Sequence, residues 1–256
     1  MNAALRSNRR VAIVTGGARG IGEAVAHRLA QDGLRIAILD LDGAAAARVA
    51  RSIEGRGGDA FGTAADVSRE SSVREAVTKV AAEFGPPSVL VNNAGLLREH
   101  TLAKTTLEEW TQVLDVNLRG AFLMSREVAP HQRDLGGGRI VNLSSTGALG
   151  AVGLAAYSSA KAGLLGLTRT LALELARHGV TVNAVAPGFV VSAMTAGSAE
   201  RTGIQFDDMQ AHVKREVPLG RVGQPEDIAH AVSFFVDERS SYVTGQVLYV
   251  AGGPRG

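Results

Sequence analysis

Short apolar runs alternate with amphipathic stretches along almost the whole chain, and this alternation limits the fold more than any other feature. Residues 11–14, 35–39, 88–91, 140–143, 180–185 and 247–250 have the composition of buried strands, and a weaker strand is predicted near 60–64. Residues 22–31, 68–84, 107–128 and 160–176 have helical spacing of their apolar side chains. Strands that are apolar throughout need cover on both faces, and intervening helices make them pair in parallel. The sequence therefore predicts an α/β fold with a doubly wound parallel sheet of about seven strands.

The chain shows no linker and no repeat, so residues 1–256 are predicted to form a single domain. One segment, residues 194–218, has no strand signal, is rich in polar residues and is interrupted by Gly197 and Gly203. It follows the strand at 180–185. It is interpreted either as a mobile lid over a substrate or as an ordinary pair of surface helices.

Composition excludes several classes of function. The absence of cysteine rules out disulfides, thiolate catalysis and zinc–sulfur sites, and no metal site is predicted. No apolar run is long enough to span a membrane or to act as a signal peptide, so a cytoplasmic location is expected. A net charge of +2 without a basic stripe argues against nucleic acid as a partner. The basic residues Arg6, Arg9 and Arg10 are interpreted as a solvated tail before the first strand.

A glycine-rich turn joins the first strand to the first helix. Its sequence is Thr15-Gly16-Gly17-Ala18-Arg19-Gly20-Ile21-Gly22. Glycines at such a turn let a pyrophosphate approach the free N–H groups at a helix N-terminus. Asp40 ends the next strand, where a carboxylate can accept hydrogen bonds from the adenosine ribose; the alternative role for Asp40 is to cap the following helix. This arrangement predicts a dinucleotide site in a Rossmann fold.

Tyr157 and Lys161 form a second pattern, four residues apart in a helical stretch. Residues at this spacing share one helix face, so an ammonium can lie beside a phenol. An unperturbed tyrosine has a pKa of about 10, and a neighbouring positive charge favours the phenolate. The pair is therefore a candidate acid/base couple.

These motifs, with Asn92-Asn93-Ala94-Gly95 and Pro187-Gly188 further along, resemble those of the classical short-chain dehydrogenase/reductase family, 3-oxoacyl-carrier-protein reductases in particular. The resemblance covers nearly the whole chain. It implies a hydride transfer between a nicotinamide and an alcohol or carbonyl carbon. It also implies a set of cofactor-binding residues: Gly16, Arg19, Gly20, Ile21, Gly22, Asp40, Asp66, Val67, Asn93, Ala94, Gly95, Tyr157, Lys161, Pro187, Gly188, Val190 and Ser192.

By the same resemblance, Tyr157 is the catalytic acid/base, Lys161 lowers its pKa and binds the nicotinamide ribose, and Asn117 holds a water in a proton relay. Asn117 can also be read as a buried side chain that only satisfies a helix carbonyl, and the sequence alone favours that reading. The family's substrate-binding serine corresponds to either Ser144 or Ser145. Spacing to Tyr157 favours Ser144 slightly, whereas counting along the strand from Asn142 favours Ser145.

The predicted function is an NAD(P)-dependent oxidoreductase acting on a secondary alcohol or ketone, with 3-oxoacyl thioesters among the candidate substrates. Dehydrogenases of hydroxysteroids, sugars or cyclic diols are the alternative. A catalytically silent nucleotide-binding protein is the alternative from another class, although such a protein has no need of Asn117, a serine, Tyr157 and Lys161 together. Six residues are candidates for the apolar pocket wall: Ala148, Leu149, Val152, Leu154, Phe189 and Met194.

Two further expectations concern cofactor choice and assembly. Asp40 would repel the 2′-phosphate of NADP, while Arg19 would attract it from an exposed position, so a preference for NAD is expected and use of NADP remains open. The wide apolar faces of the helices near 107–128 and 157–176 predict a homotetramer, because the resemblance implies that they pair across a twofold axis.

Overall fold

The computed structural model describes residues 9–254, and its centre is a seven-stranded sheet. The strands are β1 (Val11–Thr15), β2 (Arg35–Asp40), β3 (Asp59–Ala64), β4 (Val89–Asn92), β5 (Gly138–Leu143), β6 (Val180–Pro187) and β7 (Val247–Val250). They lie in the order β3-β2-β1-β4-β5-β6-β7, and every neighbouring pair is parallel. The predicted doubly wound sheet is confirmed.

Helices cover both faces of this sheet. They are α1 (Gly20–Gln31), α2 (Gly43–Glu54), α3 (Glu70–Phe84), α4 (Leu107–Leu114), α5 (Gly120–Asp134), α6 (Ala155–Leu175), α7 (Ala193–Thr202), α8 (Phe206–Glu216) and α9 (Pro225–Val236). Alternate residues of β1 enter different cores. Ala12 and Val14 pack in a cluster with α1, α2 and α9, whereas Val11 and Ile13 pack in a cluster with α3, α5 and α6.

Most predicted elements agree with the structure to within two residues, and three need comment. The helix predicted over 107–128 is divided into α4, a π-helical segment (Asp115–Arg119) and α5, which continues to residue 134. The helix expected from residue 160 starts five residues earlier, so that Tyr157 lies in its first turn. The weak strand near 60–64 is β3, an edge strand whose side chains are mostly part-exposed. Such exposure weakens the apolar pattern on which strand prediction depends.

The strand order reverses between β1 and β4, and this reversal determines where a ligand can bind. The chain leaves β1 towards one edge of the sheet and leaves β4 towards the other, which opens a crevice at the carboxyl ends of these strands. The glycine-rich turn after β1 and the loop after β4 meet there. The side chain of Asn93 donates to the carbonyl oxygens of Thr15 (3.0 Å) and Gly16 (2.9 Å).

The N-terminal residues within the described range are not a solvated tail, which corrects that interpretation. Arg10 is part-buried and donates to the carbonyl oxygen of Val236 at 2.9 Å. Its guanidinium also lies 3.8 Å from Glu238. Arg6 lies outside the described residues. Within residues 9–254, no helix combines the length and apolar character that crossing a bilayer requires.

Candidate active site

A cavity of about 960 Å³ opens at the carboxyl ends of the strands. All seventeen residues predicted to bind the cofactor line it, and so does Ser144. Asn117 and Ser145 are the two predicted site residues that do not form part of its wall. The cavity therefore unites two motifs, the glycine-rich turn and the Tyr157–Lys161 pair, that are about 140 residues apart in sequence.

The glycines of the turn allow close backbone contacts that side chains would prevent. Gly16 has a φ of +60°, and a Cβ on it would lie 2.8 Å from the Cα of Ala94. A Cβ on Gly22 would lie 2.2 Å from the carbonyl oxygen of Gly16. Gly20, at the start of α1, has a φ of +55°. The turn thus presents bare backbone at the N-terminus of α1, which is the arrangement that binds a pyrophosphate.

Asp40 lies beside this turn and is 7% exposed. One carboxylate oxygen accepts a hydrogen bond from the N–H of Ala18, and the other accepts one from the N–H of Asp42, both at 3.1 Å. Asp42, not Asp40, caps α2, because its side chain accepts from the N–H of Ala45 at 2.9 Å. The capping alternative for Asp40 is therefore wrong. Arg19, on the other side of the turn, is exposed.

Two further segments border the same cavity. The carboxylate of Asp66 accepts from the N–H (3.0 Å) and hydroxyl (2.6 Å) of Ser68, which fixes the turn that holds Val67 in the wall. Opposite, Ser192 begins α7 in a capping box with Thr195. The wall from Pro187 to Ser192 is therefore held between β6 and a capped helix.

Tyr157, Ser145 and Lys161 meet on the sheet side of the cavity. Ser145 Oγ and the Tyr157 ring lie on either side of Gly147, since a Cβ there would be 3.3 Å from the former and 3.4 Å from the latter. Burial raises the pKa of Tyr157, and the neighbouring Ser145 side chain lowers it to a smaller extent. Lys161 is 4% exposed, and its Nζ donates to the carbonyl oxygen of Leu143 at 2.7 Å. Burial lowers the pKa of Lys161 to about 8. Contrary to the sequence-based expectation, the pKa of Tyr157 is raised, because burial is the larger effect; Lys161 Nζ lies 5.5 Å from the ring centre and is directed at the carbonyl oxygen of Leu143.

The two serines have different environments. Ser144 is 4% exposed, and its hydroxyl donates to the carbonyl oxygen of Lys161 at 2.8 Å, inside helix α6. Ser145 is less buried; its hydroxyl accepts from the N–H of Gly147 at 3.0 Å and reaches Tyr157. Adjacent residues at a strand end face opposite ways, so only one serine can serve the site. Ser144 belongs to the cavity wall but its hydroxyl is engaged inside α6, whereas Ser145 lies outside the wall with its hydroxyl near Tyr157, so both serines stay candidates.

Asn117 lies in the π-helical segment and is 1% exposed. Its Nδ2 donates to the carbonyl oxygens of Val113 (2.9 Å) and Leu96 (2.8 Å). Its Oδ1 is buried without a hydrogen-bond partner. A Cβ on Gly95 would lie 3.0 Å from this oxygen and 3.7 Å from Lys161 Nζ, so both polar atoms border the space beside Gly95. The reading in which Asn117 only satisfies a helix carbonyl accounts for the amide nitrogen but leaves this oxygen unexplained.

The outer half of the cavity is mostly apolar. Leu154, Phe189 and Met194 line it as predicted, whereas Ala148, Leu149 and Val152 do not. Val152 is 95% exposed. The sequence analysis missed several wall residues: Leu96, Leu97, Arg98, Ser198, Arg201, Met209 and Val213. Met209 and Val213 lie four apart on α8, and that helical spacing was the signal available for them.

Known proteins resemble this chain along nearly its whole length. A family model described as enoyl-(acyl carrier protein) reductase matches residues 16–254. The short-chain reductase protein NovJ of Streptomyces niveus is 43% identical, with 96% of this chain and 94% of the relative covered. The 3-oxoacyl-(acyl-carrier-protein) reductase FabG of Staphylococcus epidermidis is 40% identical, with coverage of 94% and 97%. A crystal structure of an actinorhodin polyketide ketoreductase variant with NADPH is similar at a TM-score of 0.93, with 35% identity and coverage of 96% and 97%.

Proposed function

The chain belongs to the short-chain dehydrogenase/reductase family, and from this premise we propose that it interconverts a ketone and a secondary alcohol with Tyr157 as the group that carries the proton. NAD(P)-dependent oxidation and reduction of CH–OH and C=O groups is the chemistry of this enzyme class. The observation that carries the assignment to Tyr157 is its position in the cavity wall, beside Ser145 and 5.5 Å from the buried ammonium of Lys161.

The glycine turn and its surroundings fit a nicotinamide dinucleotide. The open position is Gly20, where an added Cβ would have only Ser192 within 4 Å; it lies at the N-terminus of α1, where N–H groups can hold the pyrophosphate. In this proposal Asp40 accepts a hydrogen bond from the adenosine ribose, and Asp66 and Val67 border the adenine. The remaining predicted residues contact the cofactor along its length, as far as Ser192 at the nicotinamide end. Bound NAD(P)H supplies the hydride for carbonyl reduction.

The chain's own residues then handle the proton. The phenol of Tyr157 is protonated at neutral pH because burial raises its pKa, so it can donate to the oxygen of the substrate carbonyl. The hydroxyl of Ser145 donates to the same oxygen and stabilises its developing negative charge. Lys161 is charged at neutral pH, since its pKa is about 8. Its positive charge stabilises the negative charge that develops when Tyr157 gives up its proton. Asn117 Oδ1 accepts from a water that returns a proton towards Lys161 and Tyr157.

An apolar carbonyl compound is the proposed substrate, and 3-oxoacyl thioesters are included. Support comes from the apolar side chains of the outer wall, among them Leu154, Phe189 and Met194. Such a wall gives few hydrogen-bond partners for a sugar, which disfavours that alternative. A hydroxysteroid or cyclic diol remains the second candidate. In this proposal residues 1–256 act as a single domain, and residues 194–218 form the lid over the substrate. The proposed location is the cytoplasm.

We also propose a preference for NAD(H) over NADP(H). Asp40 is a buried carboxylate at the ribose end of the cavity, where a 2′-phosphate would bring like charges together. Two unit charges about 4 Å apart repel by roughly 4 kcal/mol at an effective dielectric constant near 20. Arg19 is exposed, and an exposed ion pair contributes about 1 kcal/mol or less. Asp40 therefore outweighs Arg19. The ketoreductase with NADPH makes NADP(H) the alternative to be measured.

A substrate panel tests the proposed function. Purified protein is assayed with NADH and NADPH against 3-oxoacyl thioesters, aliphatic and aromatic ketones, cyclic diketones, steroid ketones and keto sugars, and nucleotide oxidation is followed by absorbance at 340 nm, the nicotinamide band. We expect turnover of apolar ketones or thioesters. Tight NADH binding without turnover of any carbonyl would instead support the silent nucleotide-binding alternative.

A further inference from the structure

Glu99, in the loop after β4, joins this loop to helix α7 across the outer half of the cavity. One carboxylate oxygen accepts from the hydroxyl of Ser198 at 2.6 Å. The other accepts from Nε and Nη2 of Arg201 at 3.1 and 2.6 Å. Ser198 and Arg201 both line the cavity, and the carboxylate of Glu99 is 20% exposed. Neither the sequence motifs nor the proposed catalysis uses this group.

The loop that carries Glu99 is itself held in place. Three residues before Glu99, the carbonyl oxygen of Leu96 accepts from Asn117 at 2.8 Å. One residue after it, the N–H of His100 donates to the carbonyl oxygen of Gly153 at 3.0 Å. The side chain of His100 also lies 3.2 Å from Glu109. Glu99 therefore extends from a fixed support, and its contacts restrain α7.

The inner end of α7 is anchored independently of Glu99. Ser192 and Thr195 form a capping box, and the hydroxyl of Thr195 donates to the carbonyl oxygen of Val190 at 2.9 Å. Within residues 9–254, the other side-chain hydrogen bonds that connect α7 to a different segment are those to Glu99. The end of α7 near Ser192 is thus hydrogen-bonded without Glu99, while the side-chain hydrogen bonds of the end near Arg201 to another segment go to Glu99, beside the packing of Ala199, which is 2% exposed.

We propose that Glu99 is a positioning residue for the substrate: by pairing with Ser198 and Arg201, it keeps the outer end of α7 closed over the bound carbonyl compound. This rests on the proposed function. Glu99 touches neither the cofactor segment nor the Tyr157 group, so it acts on substrate retention and leaves the chemical step and cofactor binding to other residues. A closed outer wall also excludes water from the apolar half of the cavity.

Charge-swap variants test the proposal by amide hydrogen exchange and by kinetics. In the full-length protein without ligands, Glu99→Ala is expected to speed exchange of the amides of residues 197–202 at least about tenfold. In assays it is expected to raise KM for the carbonyl substrate about fivefold, while kcat and the Kd for NADH stay within about twofold. The double variant Glu99→Arg with Arg201→Glu restores the ion pair with reversed polarity. It should recover at least half of both effects.

Two controls separate the possible outcomes. Glu70→Gln removes a carboxylate that also pairs with arginines of two helices, Arg74 and Arg126, and it should change neither exchange in α7 nor KM. Glu99→Gln keeps the volume of the side chain and carries the test if Glu99→Ala does not fold. The proposal would be overturned if Glu99→Ala left amide exchange in α7 unchanged. It would also be overturned if these amides exchanged as fast in the charge-swap variant as in Glu99→Ala. The exchange experiment needs no turnover, so an absence of carbonyl reduction would contradict the proposed function alone.

Discussion

At the scale of single residues, Ser144 and Ser145 show how one step along the chain changes the chemistry available to a hydroxyl. The donor of Ser144 is used inside α6, on the carbonyl oxygen of Lys161, whereas Ser145 reaches Tyr157. Ser145→Ala should therefore lower kcat for carbonyl reduction about a hundredfold, as expected when an oxyanion donor is removed. Ser144→Ala should lose at most a few-fold in kcat and some thermal stability. Steady-state kinetics of both variants checks this, and a larger loss of kcat in Ser144→Ala would reverse the assignment.

Lys161 gives a prediction about pH. Burial lowers its pKa to about 8, so its ammonium is present below that pH and is lost as the pH rises through it, well below the ordinary value for lysine. Carbonyl reduction needs this charge and a protonated Tyr157. With saturating NADH, kcat/KM for reduction should be level from pH 6 to about 7.5 and decline above about 8. A profile that stays flat up to pH 10 would show that Lys161 keeps its proton in the working enzyme.

At the scale of elements, cofactor choice depends on where β2 ends relative to the start of α1. Asp40, the last residue of β2, accepts a hydrogen bond from the N–H of Ala18, which lies in the turn before α1. Wild-type kcat/KM is expected to favour NADH over NADPH by at least about tenfold, which is some 1.4 kcal/mol. Asp40→Ser should erode or reverse this preference because Arg19 remains.

The control for this prediction is Asp40→Asn, which keeps an oxygen acceptor for Ala18 while removing the negative charge. If the charge sets the preference, Asp40→Asn and Asp40→Ser should gain similarly with NADPH. If support of the turn matters instead, Asp40→Asn should behave like the wild type. Equal or better use of NADPH by the wild type would show that Arg19 outweighs Asp40.

The sequence was sufficient to predict the helices and strands whose apolar residues recur with a clear period. It was insufficient where the backbone departs from regular helix or strand geometry. The apolar runs located all seven strands, and the glycine turn with Asp40 located the part of the cavity next to α1. The π-helical segment at Asp115–Arg119 has no sequence signal, yet it is where Asn117 directs its amide nitrogen to Leu96 and leaves Oδ1 without a partner. Glu99 was missed because its partners are about a hundred residues away on α7.

At the scale of the whole molecule, the exposed large apolar side chains include a group in one region, on α4 to α6, and a group in a second region, near the C-terminus. On α4 to α6, Leu107 is 79% exposed, Phe122 is 42% exposed and Leu173 is 83% exposed. Near the C-terminus, Tyr242 is fully exposed and Phe234 is 50% exposed. Large exposed apolar side chains are candidates for protein–protein interfaces where they form a continuous patch. Two such regions on one chain support the proposed homotetramer, because two different twofold contacts generate four subunits.

Sedimentation equilibrium at micromolar concentration measures the assembly directly. The expected mass is about four times that of the 26.6 kDa chain. Phe122→Glu, which places a charge on the first region, should reduce the mass to that of a dimer held by the second region. A wild-type mass equal to one chain would contradict the tetramer.

The most direct test of the central claim is the rate of hydride transfer in Tyr157→Phe. This change removes the phenolic proton and keeps the ring, so folding and NADH binding should survive. General acid–base groups contribute roughly a hundredfold to ten-thousandfold to a rate. In a single-turnover experiment with enzyme-bound NADH and a carbonyl substrate of the wild type, oxidation of NADH should slow by at least a hundredfold, with an unchanged Kd for NADH. A variant that keeps more than about a tenth of the wild-type rate would contradict the role assigned to Tyr157.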